Sequence, residues 1–261
     1  MSLMTPDIRA STVATINPVA KLAVALILSA VLLLSIDSVS ASVALLLECV
    51  LLFWSGISAR QFWIRTIPLW VAAPFAGITT VLYGADSGAT LWQFGFVSIT
   101  EGSASLGAAI VLRILCIGLP GIVLFATTDP TDLADGLSQV VRLPARFVLG
   151  GLAGLRLVGL FIEDWRALGL ARRARGVGDT SALARLLSQA FALLVISIRR
   201  GSKLATAMEA KGFGSDRPRT WARDSLFGGR EWALIGIGAA IAAIAVIAAV
   251  ATGNWHFVLD T

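Results

Sequence analysis

Charge is what this sequence has least of. Asp, Glu, Lys and Arg make up 14% of its 261 residues, where a soluble domain carries about a quarter. With 57% hydrophobic residues and a mean hydropathy of +0.83, that deficit excludes an ordinary soluble domain and points to the membrane class. Cysteine is nearly absent too: Cys49 and Cys116 both lie inside apolar runs, with no Cys-x-x-Cys or Cys/His cluster. A disulfide framework and a zinc site are thereby excluded, and both thiols read as small apolar residues. The single histidine, His256, stands near the C-terminus without ligand-type neighbours and reads as a solvated side chain. No Walker-type phosphate loop occurs, so no catalytic, cofactor-binding or metal residue is expected. MSLMTPDIRASTVATINPVAKL lacks the layout of a signal peptide, and the first apolar run is expected to be a retained span.

What is present is a set of apolar runs. Five reach the roughly 17–25 residues of a membrane span: about 19–36, 39–57, 67–84, 104–128 and 231–251. Two shorter runs are ambiguous, FVLGGLAGLRLVGLFI (147–162), with Arg156 near its centre, and LLSQAFALLVISI (186–198). Charge decides between them. Residues 129–230 hold 16 of the 21 Lys and Arg against nine acids, a net charge of +7. If neither ambiguous run spans and the N-terminus is cytoplasmic, Arg9, Lys21, Arg60, Arg65 and the whole basic segment lie inside. The outside segments 37–38, 85–103 and 252–261 then carry no Lys or Arg, as the positive-inside rule asks. Were both runs to span, Arg172, Arg173 and Arg175 would be stranded outside.

The expected architecture is an all-α polytopic membrane protein of five transmembrane helices, with a cytoplasmic insert of one short and two long crossing helices. Residues 1–128 form four spans, 129–230 the insert, and 231–261 the last span and a short external tail. Within the insert, TTDPTDLADGL (127–137) starts a helix with Asp129 as N-cap, Pro130 at the first position and Asp132 in the first turn. RLP at 142–144 ends it. A second helix is expected from about Pro144 to Arg175, and a third, capped by Asp179, Thr180 or Ser181, to about Lys211. Gly150 and Gly154 form a small-xxx-small pair that would allow a close crossing.

Both long helices end alike. Ala171-x-x-Ala174-Arg175-Gly176-x-Gly178 aligns with Ala207-x-x-Ala210-Lys211-Gly212-x-Gly214, 36 residues later. Glycine after the last turn takes the left-handed conformation that ends a helix, and a cation there favours the negative end of the dipole. Taken singly, each is an ordinary helix stop. Repeated, they suggest two equivalent receiving sites on a two-fold or pseudo-two-fold partner. A nucleotide cradle is set aside, because no strand precedes either motif and the helix comes before the glycines.

These paired ends resemble the Ala-Arg-Gly signatures of the transmembrane T component of energy-coupling factor (ECF) transporters, the group that includes the cobalt and biotin permease subunits. INPVAKL (16–22), SITEGSASLGAAIVLRI (98–114) and TTDPTDLADGL (127–137) resemble the family's first span, fourth span and lead into its coupling region. The resemblance implies a non-enzymatic coupling subunit in the prokaryotic plasma membrane. It also implies two partner ABC ATPases, identical or paralogous, and a small substrate-binding membrane component for vitamin or transition-metal uptake. By position it carries ATPase contacts onto Ala174, Arg175, Gly176, Ala210, Lys211 and Gly212. Lys211 stands where the family usually has arginine, and lysine lacks the planar fork that grips a carboxylate at two points.

Two charges interrupt the spans. Glu48 and Arg113 each lie nine residues into a run, at about the same depth, and an intramembrane ion pair between them is expected. The last span, LIGIGAAIAAIAVIAAVA, is small-residue rich and is expected to pack closely on protein. Trp54, Trp63, Trp70, Trp92, Trp232 and Trp255 fall near span ends, as an interfacial belt would place them. Two rival functions are a conventional ABC permease with its own translocation path and a polytopic membrane enzyme. The latter would rest on Asp129, Asp132 and Asp135, which read better as helix cap and solvated face. The basic insert could also bind anionic lipid.

Overall fold

In the computed structural model, residues 15–35, 37–54, 59–84, 87–94, 97–176, 181–215 and 220–253 are described. They form eight helices and one small hairpin: α1 Pro18–Leu34, α2 Ser38–Trp54, α3 Ala59–Tyr83, β1 Thr90–Phe94, β2 Val97–Thr100, α4 Glu101–Thr127, α5 Pro130–Gln139, α6 Ala145–Ala174, α7 Ala182–Ala210 and α8 Gly229–Ala251. By chain contacts they divide into two compact units, 1–136 with 225–261, and 137–224.

The first unit holds α1 to α4 and α8, packed around small residues. α1 starts on a sequence signal: the Asn17 side chain caps it, accepting from the Val19 amide at 3.0 Å, with Pro18 in the first turn. Asp37 caps α2, accepting from the Ser40 amide and hydroxyl at 2.6 Å each and from the Ser35 hydroxyl. A reciprocal box, Thr100 with Ser103, starts α4. α3 and α4 meet at two glycines. A β-carbon on Gly77 would stand 2.3 Å from Val111 and one on Gly107 would stand 3.0 Å from the Gly77 carbonyl, so neither position has room for a side chain. α8 meets α1 in the same way at Gly238, against Val24, and buries Ile241, Ala242, Ala245 and Ala249. The close packing expected of this span is what the small residues provide.

Five of the described helices are long and apolar enough to cross a membrane: α3, α4, α6, α7 and α8. α1 and α2 are 17 residues each, about 25 Å of helix and the short end of the spanning range. Helix length and composition thus admit α6 and α7, which the charge pattern excluded, and leave α1 and α2, which run length had admitted, among the shorter apolar helices. One element was not expected at all. The segment read as a plain external loop contains the β1–β2 antiparallel hairpin, paired Trp92 with Ile99 and Phe94 with Val97.

The second unit is built on α6 and α7. They pass in opposite directions: Asp164 meets Arg200 at 2.7 Å, the Gln189 side chain donates to the Trp165 carbonyl at 2.7 Å, and Arg172 donates to the Ser188 carbonyl at 2.9 Å. Beyond this crossing the helices splay apart. The crossing does not use the pair expected for it, since nothing lies within 4 Å of a β-carbon built on Gly150 or Gly154. The close glycine is Gly169, beside Gln189.

Candidate functional site

The matched helix ends are built by the local rules that the sequence announced. α7 starts on Ser181, whose hydroxyl accepts from the Ala184 amide at 3.4 Å, and runs to Ala210. Its end is a Schellman motif. The Phe213 amide donates to the Met208 carbonyl and the Gly212 amide to the Glu209 carbonyl, both at 2.9 Å, with Gly212 at φ +81°. α6 ends in the corresponding way, with the Gly176 amide donating to the Arg173 carbonyl at 3.1 Å and Gly176 at φ +70°. Gly214 also takes a positive φ, +86°, while Gly178 and two of the expected caps, Asp179 and Thr180, lie outside the described residues.

Both ends are bare. Ala174, Arg175, Gly176, Ala210, Lys211 and Gly212 are all exposed, and no hydrogen bond or ion pair engages the Arg175 or Lys211 side chain among the described residues. Because α6 and α7 pass antiparallel, with residue 172 level with 188, the two ends lie at opposite ends of the pair. Arg175 falls level with the start of α7, and Lys211 lies some 26 residues further along it, roughly 40 Å at 1.5 Å per residue. The surroundings differ. Arg172 and Arg173 flank the first end, whereas Glu209 stands beside Lys211 at the second. Arg172 is held by Ser188, so it positions α7 instead of standing free.

The expected Glu48–Arg113 pair is not made. Both oxygens of the Glu48 carboxylate are buried without a hydrogen-bond partner. Arg113 instead lines a small cavity with Asp37, Ser40 and Ala41, where Asp37 attracts it. The reason is register. The Cys116 thiol donates to the Ala41 carbonyl at 3.0 Å, which sets Arg113 level with the start of α2. Glu48 lies seven residues beyond Ala41, about 10 Å further along the helix.

Two residues that the sequence reading passed over hold this architecture. Gln189, the buried residue of α7, ties it to α6. Asn17 ties the start of α1 to the approach to α8, its amide group donating to the Ser225 hydroxyl and the Leu226 carbonyl at 2.9 Å each. The Asn-Pro step was a legible helix-start signal for the latter; a mid-helix glutamine gave none. Of the three acids Asp129, Asp132 and Asp135, the first caps α5 through the Thr131 amide at 2.6 Å and the second lies in its first turn.

Together these features define a polytopic helical membrane protein that presents two alike cationic helix ends. The chain belongs to the cobalt transport protein (CbiQ) family, whose model matches residues 9–221. It is also similar to the energy-coupling factor transporter transmembrane protein EcfT of several bacteria. The Limosilactobacillus fermentum protein is 28% identical over 64% of this chain and 66% of its own length, and the Bacillus subtilis protein 29% identical over 57% and 60%. That of Streptococcus thermophilus is 28% identical over 83% and 86%. The chain thus spans somewhat less than two thirds of the length of the first two relatives.

Proposed function

We propose that this chain is the non-enzymatic coupling subunit of an ECF-type importer. It joins two ABC ATPases to a separate substrate-binding membrane component that takes up a vitamin or a transition metal. One ATPase receives Ala174-Arg175-Gly176 and the other Ala210-Lys211-Gly212. ATP hydrolysis belongs to those partners. In this reading the N-terminus and the α6–α7 unit face the cytoplasm, α1 and α2 span as a short helical pair, and the C-terminus lies outside. The charge pattern supports that topology, since it leaves the external segments free of Lys and Arg.

One observation carries the proposal: two antiparallel helices end in the same glycine-capped, exposed cation, roughly 40 Å apart along α7. A single socket cannot hold both ends. Two like sockets on a paired ATPase can, and closure of that pair would then act on α6 and α7 as levers.

Co-purification of the ATPases tests it. Arg172 is a poor control, because it holds Ser188; the exposed neighbour Arg173 is a better one. Arg175→Glu is expected to weaken the assembly by about 2–5 kcal/mol, the usual loss when one member of a desolvated charge pair is removed. Arg173→Glu is expected to cost much less. Equal losses would reduce the motif to general charge and end the reading.

A further inference from the structure

Where α6 and α7 splay apart they leave a groove of about 420 Å³, within the roughly 300–1,000 Å³ typical of small-molecule sites. Its wall is leucine, from Leu152, Leu157 and Leu160 on α6 and Leu204 on α7. The charged groups lining it are two guanidiniums, Arg156 and Arg200, and no acid. Arg200 is already engaged by Asp164 at 2.7 Å. Arg156 is exposed, and no hydrogen bond or ion pair engages it among the described residues.

That combination selects an occupant. A purely apolar partner helix would cover the leucines but bury an uncompensated guanidinium, at a cost of several kcal/mol. A neutral lipid would face Arg156 with a headgroup of no net charge. An anionic phospholipid satisfies both parts of the wall, because guanidinium is a planar donor that matches phosphate oxygens at two points and the leucines accept hydrocarbon. The position of Arg156, in the middle of a 16-residue apolar run, puts the charge beside the hydrocarbon wall instead of at a solvated helix end.

We propose that the splay between α6 and α7 binds one anionic phospholipid, with its phosphate on Arg156 and an acyl chain along Leu152, Leu157, Leu160 and Leu204. The site is distinct from the helix ends and needs no ATPase or transported substrate, so its test stands apart from that of the coupling role.

Native mass spectrometry of the full chain in detergent, titrated with phosphatidylglycerol or phosphatidylcholine of the same acyl chains, tests it. The wild-type chain is expected to hold phosphatidylglycerol over phosphatidylcholine by about fivefold, the factor that one arginine's attraction to an anionic headgroup gives. Arg156→Gln is expected to bring that ratio near one, and Arg156→Lys to keep most of it. Arg199→Gln, which removes a charge from α7 outside the groove lining, should leave it unchanged. Absence of a preference in the wild type would overturn the proposal and leave the groove to a protein partner. So would equal losses in Arg156→Gln and Arg199→Gln, because the lipid would then answer to overall charge.

Discussion

Asp37 does two things with one carboxylate. It stops the chain between α1 and α2 by capping α2, and it gives Arg113 of α4 a counter-charge. Glu48 has neither role, since both of its oxygens are buried and unpartnered. The two acids should therefore respond oppositely to mutation. Removing a buried, unsatisfied polar group relieves a desolvation penalty of about 1–3 kcal/mol, so Glu48→Leu should raise the thermal midpoint of the detergent-solubilised chain. Asp37→Ala should lower it, by about the 0.5–2 kcal/mol of a lost cap and more if the Arg113 attraction is lost with it. A double-mutant cycle should find coupling between Asp37 and Arg113 and none between Glu48 and Arg113. The glycine caps at 176 and 212 were legible because a cap depends on a few consecutive residues. The partner of Arg113 was not, because counting from the start of each apolar run assumes that all runs begin at one depth. The Thr100–Ser103 box and the hairpin before it set where α4 begins, and neither shows in hydropathy.

At the scale of elements, glycine divides into two kinds. Gly77 and Gly107 lie where α3 and α4 touch, and a side chain at either would collide with backbone or Val111. Gly150 and Gly154 face open space on α6. Gly77→Ala is thus expected to destabilise by about 1–3 kcal/mol through overpacking. Gly150→Ala should instead stabilise α6 by up to about 1 kcal/mol, since glycine is the weaker helix former. Thermal unfolding followed by circular dichroism would separate the two, and a loss at Gly150 as large as at Gly77 would show that α6 packs there after all. Helix limits were nearly readable throughout the second unit: RLP, Ser181 and the terminal glycines bracket α6 and α7 within a residue or two. Where those helices cross was not. Spacing on one helix says which face could approach another, but a hydrogen bond from Gln189 to a carbonyl on α6 depends on two distant segments at once. The β1–β2 hairpin was missed for a related reason. Its nine strand residues fall in a segment whose charge and interfacial tryptophan point to an external loop, and the Gly95-Phe96 turn signal between the strands is too short to stand out beside them.

For the whole molecule, the two cationic ends are alike in shape and unlike in field. Arginines 172, 173 and 175 crowd the first, while Glu209 offsets Lys211 at the second. If each end seats in an ATPase, attachment through the first should weaken more steeply as salt rises, because exposed charges more than about 8–10 Å apart are largely screened at physiological ionic strength. Lys211→Ala, which leaves the first end, and Arg175→Ala, which leaves the second, allow that comparison by binding measurements across a salt series. Parallel slopes would mean that shape alone governs docking. The family was readable from sequence because two short motifs repeat; the asymmetry between them follows from neighbours that the motif does not include.

Asn17 gives the fold one more property. A β-carbon on Gly136 would lie 3.0 Å from the Asn17 side-chain oxygen Oδ1, and the Ser225 hydroxyl accepts a hydrogen bond from the same side chain. Gly136 and Ser225 are the last and first residues of the membrane unit on either side of the second unit. The returning chain is therefore tied to the start of α1 by one side-chain amide, and Gly136 passes that amide so closely that a side chain there would crowd the knot.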